Sequence, residues 1–198
     1  MKHTILAALA ITVTLIFLHC AKAGGPYEDS AESEQTREDT IKHGDYLVSI
    51  MGCHDCHSPK RMGANGQPEL VPELMLSGYP SDRPVNIPSL DALQQGYMLM
   101  GADLTSFIGP WGMSFAGNLT SDETGTGNWT LEQFKKALTE GKYKGLDNAR
   151  NLLPPMPVEV YRHLNDYDIS AIFTYLQSTN PVRNVVPPPM TPDQLLEG

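Results

Sequence analysis

The sequence predicts an all-α domain, and three observations carry that expectation. Apolar residues recur at helical spacing in stretches that begin near residues 36, 130 and 165. Each stretch opens on a residue suited to capping a helix: Thr36, Thr130 and Asn165. The remaining middle of the chain is so dense in proline and glycine that it reads as a long loop region. A chain of 198 residues is long enough for one compact domain with a real core.

Residues 1–23 read as a secretory signal, with Lys2 as the positive start and an apolar run over 5–18 too short for a comfortable membrane span. Two processing routes stay open. Ala21-Lys22-Ala23 is a small-x-small cleavage site, whereas Leu18-His19-Cys20 offers a weaker lipidation box that would anchor the chain to a membrane through Cys20. Loss of Lys2 and Lys22 leaves all 23 acidic residues and takes the formal net charge from −9 to −11. Such a chain does not seek nucleic acid or an anionic lipid surface, but it can be steered toward a basic face on a protein partner.

Residues 24–35 are polar and acidic and read as a flexible linker. The first helix is expected from Thr36 through Ile41, Tyr46, Leu47 and Ile50. Gly44 lies inside it at a cost of about 1 kcal/mol relative to alanine, which suggests that another helix crosses there.

The helix leads into Cys53-His54-Asp55-Cys56-His57. Cys-x-x-Cys-His is the spacing of covalent c-type haem attachment. Two sulfurs three residues apart on a helical turn reach the two vinyl groups on one porphyrin edge. His57 then supplies the proximal imidazole, and Cys53 and Cys56 form thioethers. A zinc site would need two more ligands, yet the only other cysteine, Cys20, lies in the leader. A dithiol redox pair would need a preceding strand, and the preceding sequence reads as helix.

Residues 58–128 form the expected loop region, apart from a short helical segment over 90–100. Loops of that length in a compact domain are functional or wrap something. Gly109-Pro110-Trp111-Gly112 and Gly125-Thr126-Gly127-Asn128-Trp129 read as turns that each carry an indole, Trp129 being the better placed to touch haem. Asp122-Glu123 reads as part of a turn, lacking the alternating oxygen ligands of a calcium loop. The second helix starts at Thr130, which forms a capping box with Gln133, buries Leu131, Phe134, Ala137 and Leu138, and stops at Gly141. The third is capped by Asn165 and presents Ile169, Ile172, Phe173 and Leu176. Residues 188–198 form a surface wrap or frayed tail.

A stable electron carrier needs a second iron ligand, and a thioether favours ferrous iron. Met156 is the preferred candidate. It lies in Leu152-Leu153-Pro154-Pro155-Met156-Pro157, where prolines fix the backbone and remove N–H groups that helix or sheet would claim. Met113 and Met100 are the next candidates, and the other methionines read as core fillers. His43 and His163 read as solvated helix residues.

Beyond the haem motif, Gly44-Asp45-Tyr46-Leu47, Asn118-Leu119-Thr120-Ser121-Asp122, Thr124-Gly125-Thr126-Gly127-Asn128-Trp129, Pro154-Pro155-Met156-Pro157 and Pro181-Val182-Arg183-Asn184 form a pattern. In these the chain resembles the bacterial exported cytochrome c family, and in particular single-haem units of the cytochrome c subunits of membrane-bound and periplasmic alcohol dehydrogenases. The resemblance covers residues 36–187. It implies an all-α cytochrome c fold with a long loop-rich insertion after the haem motif. It further implies one covalently attached haem c, with His57 and Met156 on the iron. Those subunits typically carry several haem motifs, and this chain carries one, so it reads as a separate carrier or a module. The expected function is single-electron transfer between redox partner proteins (a dehydrogenase, an oxidase or another cytochrome), in the periplasm and without catalytic residues of its own. The alternative is a haem enzyme or gas-binding sensor with an open or labile distal site, for which a distal acid/base pair is not evident in the sequence.

Overall fold

The computed structural model describes residues 26–197, with side chains from residue 36 onward. The leader expected over residues 1–23, and Cys20 with it, lies outside them. The chain divides into two compact units, Met1–Asp39 and Thr40–Gly198. In the first, the described residues are helical from Pro26, so the stretch read as a linker enters helix well before Thr36. The second begins within the same helix, α1 (Pro26–Ile50), and contains every other described element. Among the described residues no helix is long and apolar enough to cross a membrane.

Helix α1 turns its core face through Leu47 and Val48, while Tyr46 and Ile50, expected on that face, are exposed. Gly52 ends the run with φ of 70°. The left-handed region favours glycine, and a Cβ here would stand 2.9 Å from the Asp55 carboxylate. The motif itself forms the single turn α2, Cys53–His57.

The region between the motif and residue 128 corrects the all-α expectation: the fold is mixed α/β. Strands β1 (Lys60–Met62) and β2 (Pro68–Leu70) form an antiparallel hairpin. After the short helix α3 (Asp91–Gln94) come β3 (Leu99–Met100), β4 (Ser106–Gly109) and β5 (Gly112–Phe115), an antiparallel sheet in sequential order. Strands of two to four residues are too short for period-two alternation to register in the sequence. The turn expected at 109–112 is the β4–β5 hairpin connection, with Gly109 opposite Gly112.

Helix α4 (Leu131–Glu140) has the expected capping box: the Gln133 N–H donates to Thr130 Oγ1 at 3.2 Å, and the Thr130 N–H donates to Gln133 Oε1 at 3.0 Å. It buries Phe134, Ala137 and Leu138, but Leu131 is exposed. The one-turn helix α5 (Val158–Tyr161) leads into α6 (Asp166–Ser178), whose cap Asn165 accepts the Asp168 N–H at 2.9 Å. A Cβ on Gly44 would overlap the carbonyl oxygen of Ala171 and lie 2.7 Å from Tyr175 Cβ, so α1 and α6 cross at that glycine as expected. Leu47, Val48, Leu76, Phe134, Leu138, Tyr161, Ile169, Ile172 and Leu176 form the principal core.

The C-terminal segment is folded rather than frayed. Met190 exchanges backbone hydrogen bonds with Met113 of β5 at 2.9 and 3.0 Å. Helix α7 (Pro192–Leu196) then sends Leu195 into a second small core with Ile108 and Met113.

Candidate haem-attachment site

Cys53 and Cys56 lie one helical turn apart on α2, both as free thiols and both partly exposed. Burial pushes the Cys53 thiol up to about 11, and burial also raises Cys56. That is opposite to the depressed value of a catalytic dithiol, which needs a stabilised thiolate.

His57 is held at both ends. Its carbonyl accepts the Gly78 N–H at 2.8 Å, and its ring Nδ1 donates to the Gly117 carbonyl oxygen at 2.7 Å. A carbonyl can only accept, so this bond fixes the proton on Nδ1 and leaves the Nε2 lone pair free. Burial holds His57 below the ordinary imidazole value, against the Gly117 hydrogen bond, which raises it. A neutral ring with its Nε2 lone pair available, preceded by two cysteines one helical turn apart, is the donor set that haem c takes, so these residues fit the group.

Two strands of loop make this grip. The Tyr79 N–H donates to Ala116 O at 2.9 Å and the Leu119 N–H to Leu76 O at 2.8 Å. Residues 76–79 thereby run beside 116–119. Gly78, at φ of 78°, permits the approach, since a Cβ there would sit 2.6 Å from the Gly117 backbone. The buried Asn184 amide donates to Ser77 O at 2.6 Å and Tyr79 O at 2.8 Å, and its Oδ1 accepts the Ser81 N–H at 2.8 Å. Asn118, also buried, donates to Val182 O at 2.8 Å and accepts the Thr120 N–H at 2.9 Å. The paired segments 76–79 and 116–119 thus hold the motif histidine. Sequence reasoning noted Asn118 and Asn184 only as parts of a pattern and missed Gly78 and Gly117, whose roles rest on backbone contacts that leave no mark in residue type.

Met156 packs against the principal core, as does Cys53. Its loop is tied by the Leu152 N–H to Gly141 O at 2.6 Å and the Val158 N–H to Met156 O at 3.0 Å. The Tyr161 hydroxyl that follows donates to Met51 O at 3.2 Å, and burial pushes that phenol up to about 12. Of the other candidate ligands, Met113 is buried in the second core and Met100 is exposed on β3. Trp129 borders the principal core, whereas the Trp111 indole donates to Ser114 Oγ at 3.3 Å. Asp122 lies in a turn, accepting the Thr124 N–H at 2.8 Å. His163 is exposed. His43 is not merely solvated: its Nε2 pairs with Asp168 Oδ1 at 2.7 Å and its ring stacks on Tyr167 at 5.0 Å, joining α1 to α6.

No protein-family model matches the chain. Among curated proteins it is 38% identical over 79 residues to a component of the nicotinate dehydrogenase of Pseudomonas putida, a match covering 39% of this chain and 6% of that protein. It is 27% identical over 174 residues to the fructose dehydrogenase cytochrome subunit of Gluconobacter japonicus, covering 87% of this chain and 28% of the relative. It is 28% identical over 147 residues to the cytochrome c subunit of the quinone-dependent alcohol dehydrogenase of Gluconobacter oxydans, covering 74% and 23%. The chain spans less than a third of the length of each of these relatives. Over most of its own length, then, the chain is similar to the cytochrome c subunits of dehydrogenases.

Proposed function

We propose that the protein is an exported monohaem c-type cytochrome that passes single electrons between redox partner proteins, one of them a dehydrogenase. The observation that carries this reading is the His57 ring, oriented by Gly117 with its Nε2 free, one turn from the thiols of Cys53 and Cys56. Haem c, when bound, supplies the one-electron couple. Cys53 and Cys56 would hold it covalently, and His57 and Met156 would be the axial ligands. The relatives that match most of the chain are cytochrome subunits of dehydrogenases, which favours a dehydrogenase as electron donor.

The remaining parts of the chain have roles around that centre. Residues 36–187 make up the haem domain, residues 1–23 are the export signal, and the periplasm is the destination, with lipidation at Cys20 as the route to a membrane anchor. A carrier of this kind needs no catalytic side chain, because the protein tunes and positions the couple. Its own contribution is a site that changes little between iron states: His57 is held by Gly78 and Gly117, and Met156 by a proline-fixed loop.

The test is the optical spectrum of the purified protein, wild type and Met156→Ala, in both oxidation states. The wild type is expected to show the weak far-red sulfur-to-iron band when oxidised and to leave carbon monoxide unbound when reduced. Met156→Ala is expected to lose the band, bind carbon monoxide, and retain its haem through denaturation. A variant that keeps the band overturns Met156 as ligand, and haem that denaturing solvent extracts overturns attachment through Cys53 and Cys56.

A further inference from the structure

The sequence around Met156 has an unusual weakness. Pro154, Pro155 and Pro157 have no N–H, so this part of the loop can be tethered only through its carbonyl oxygens or through Met156 itself. The Met156 N–H is spent locally on Leu153 O at 3.3 Å. The tether from outside comes from the insertion: Ser114 Oγ, on β5, donates to Pro154 O at 2.7 Å.

Ser114 is buried in a strand whose partners fix its place, opposite Phe107 of β4. A serine hydroxyl rotates to suit its neighbours, and here one neighbour directs it. The Trp111 indole N–H can only donate, and it donates to Ser114 Oγ at 3.3 Å. The hydroxyl is left with its own proton to give, and Pro154 O receives it. Trp111 is itself held over the hairpin, where a Cβ on Gly109 would overlap its six-membered ring.

We infer that Ser114, directed by Trp111, is a positioning residue that holds Met156 in place for the iron, so that the small sheet of the insertion sets how firmly the sixth ligand stays bound. This rests on Met156 being that ligand. The stretch between the motif and residue 128 would then serve both faces of the haem: residues 78 and 117 hold the histidine, and β5 restrains the loop that carries the methionine.

The experiment is a pH titration of the oxidised holoprotein followed through the sulfur-to-iron band, with carbon monoxide added to the reduced protein as a second readout. Ser114→Ala is expected to lose the band about one pH unit below the wild type. That is roughly a tenfold rise in the ligand-off population, equivalent to ~1.4 kcal/mol, and carbon monoxide binding is expected to become measurable. Ser114→Thr, which keeps the hydroxyl, should restore the wild-type midpoint. Trp111→Phe removes only the directing N–H and should shift the midpoint in the same direction by less; it serves if Ser114→Ala fails to fold. A midpoint and carbon monoxide response equal to wild type in Ser114→Ala or Trp111→Phe, even with a lower melting temperature, overturns the inference while leaving Met156 as ligand. If Met156→Ala in the same titration retains the band, the reading on which the inference rests is overturned instead.

Discussion

Lys60 and Asp103 carry an arrangement around the haem motif that residue type alone does not reveal. The Lys60 ammonium donates to Asp55 O at 2.6 Å, Ser58 O at 3.1 Å and Asp103 O at 3.1 Å. A cation here meets the carbonyl end of α2, where the helix dipole favours positive charge. Asp103 in turn pairs with Arg83 at 2.6 Å and accepts the Thr105 hydroxyl at 2.9 Å. Burial pushes the Asp103 carboxyl up, but the hydrogen bonds from Arg83 and Thr105 outweigh it and hold the group below the ordinary carboxylate value. A carboxyl depressed in the folded state contributes stability that is fully present above its unfolded value of about 3.9. That contribution is lost as pH falls through the lower folded value. Asp103→Asn is therefore expected to be less stable than wild type at pH 7, with a gap that closes below about pH 4. Urea midpoints measured from pH 7 to pH 3 would check this, and a gap independent of pH would mean that the charge contributes nothing. Cys53, Cys56 and His57 stand out in the sequence as candidates because the reading proposed for them rests on a local spacing. Asp103 and Arg83 do not, since their pairing depends on chain segments brought together only by the fold.

Among the elements, those that announce themselves locally are the ones the sequence predicts well. Helix α4 shows both arms of its capping box and a terminating glycine at φ of 69°, all within one short window. Helix α6 shows its cap and an apolar stripe. The strands gave no such signal, because β3 has two residues and the longest have four, and their order depends on pairing rather than on periodicity. The start of α1 was misplaced for a related reason: an acidic, polar stretch reads as linker when no apolar face marks it as helix. Gly44 falls between these cases, since its cost inside a helix signals a close approach without naming the partner. That partner is the Ala171 backbone, and backbone cannot swing aside as a flexible side chain can. Gly44→Ala gains about 1 kcal/mol of helix propensity, yet it must separate α1 from α6, and overpacking typically costs ~1–3 kcal/mol or more. The net expectation is destabilisation, with a melting temperature lower by roughly 4 °C, taking about 2–4 °C per kcal/mol for a chain of this size. Calorimetry of the holoprotein measures it, and an unchanged or higher midpoint would mean that the crossing is looser than the structure shows.

At the scale of the whole molecule the acidic balance is the property most directly linked to function. The chain carries 23 acidic against 14 basic residues, and two of the acidic ones lie close in sequence to the proposed haem ligands: Asp55 is exposed on α2, and Glu159, just after Met156, is mostly exposed. Some of this charge is locally answered, as where Arg162 meets Glu159 at 2.9 Å. Exposed pairs of that kind add little stability, but they lower the field that an approaching protein feels. The same neighbourhood exposes apolar surface at Val160 and Ile50, so two kinds of docking compete. Electrostatic steering raises the association rate and is screened beyond about 10 Å at 0.1 M salt, whereas apolar contact is insensitive to salt at those concentrations. With 23 acidic residues on the chain, steering toward a basic partner face should dominate the encounter. The second-order rate of electron transfer to a basic redox protein is therefore expected to fall at least tenfold between about 0.01 and 0.3 M salt, where the Debye length contracts from about 30 Å to less than 8 Å. Glu159→Lys should lower the low-salt rate and flatten that dependence, because it reverses charge beside the site while leaving the Met156 loop intact. Stopped-flow mixing of the reduced holoprotein with the oxidised partner gives both numbers. A rate that holds steady across the salt series would assign recognition to the apolar surface around Val160 instead.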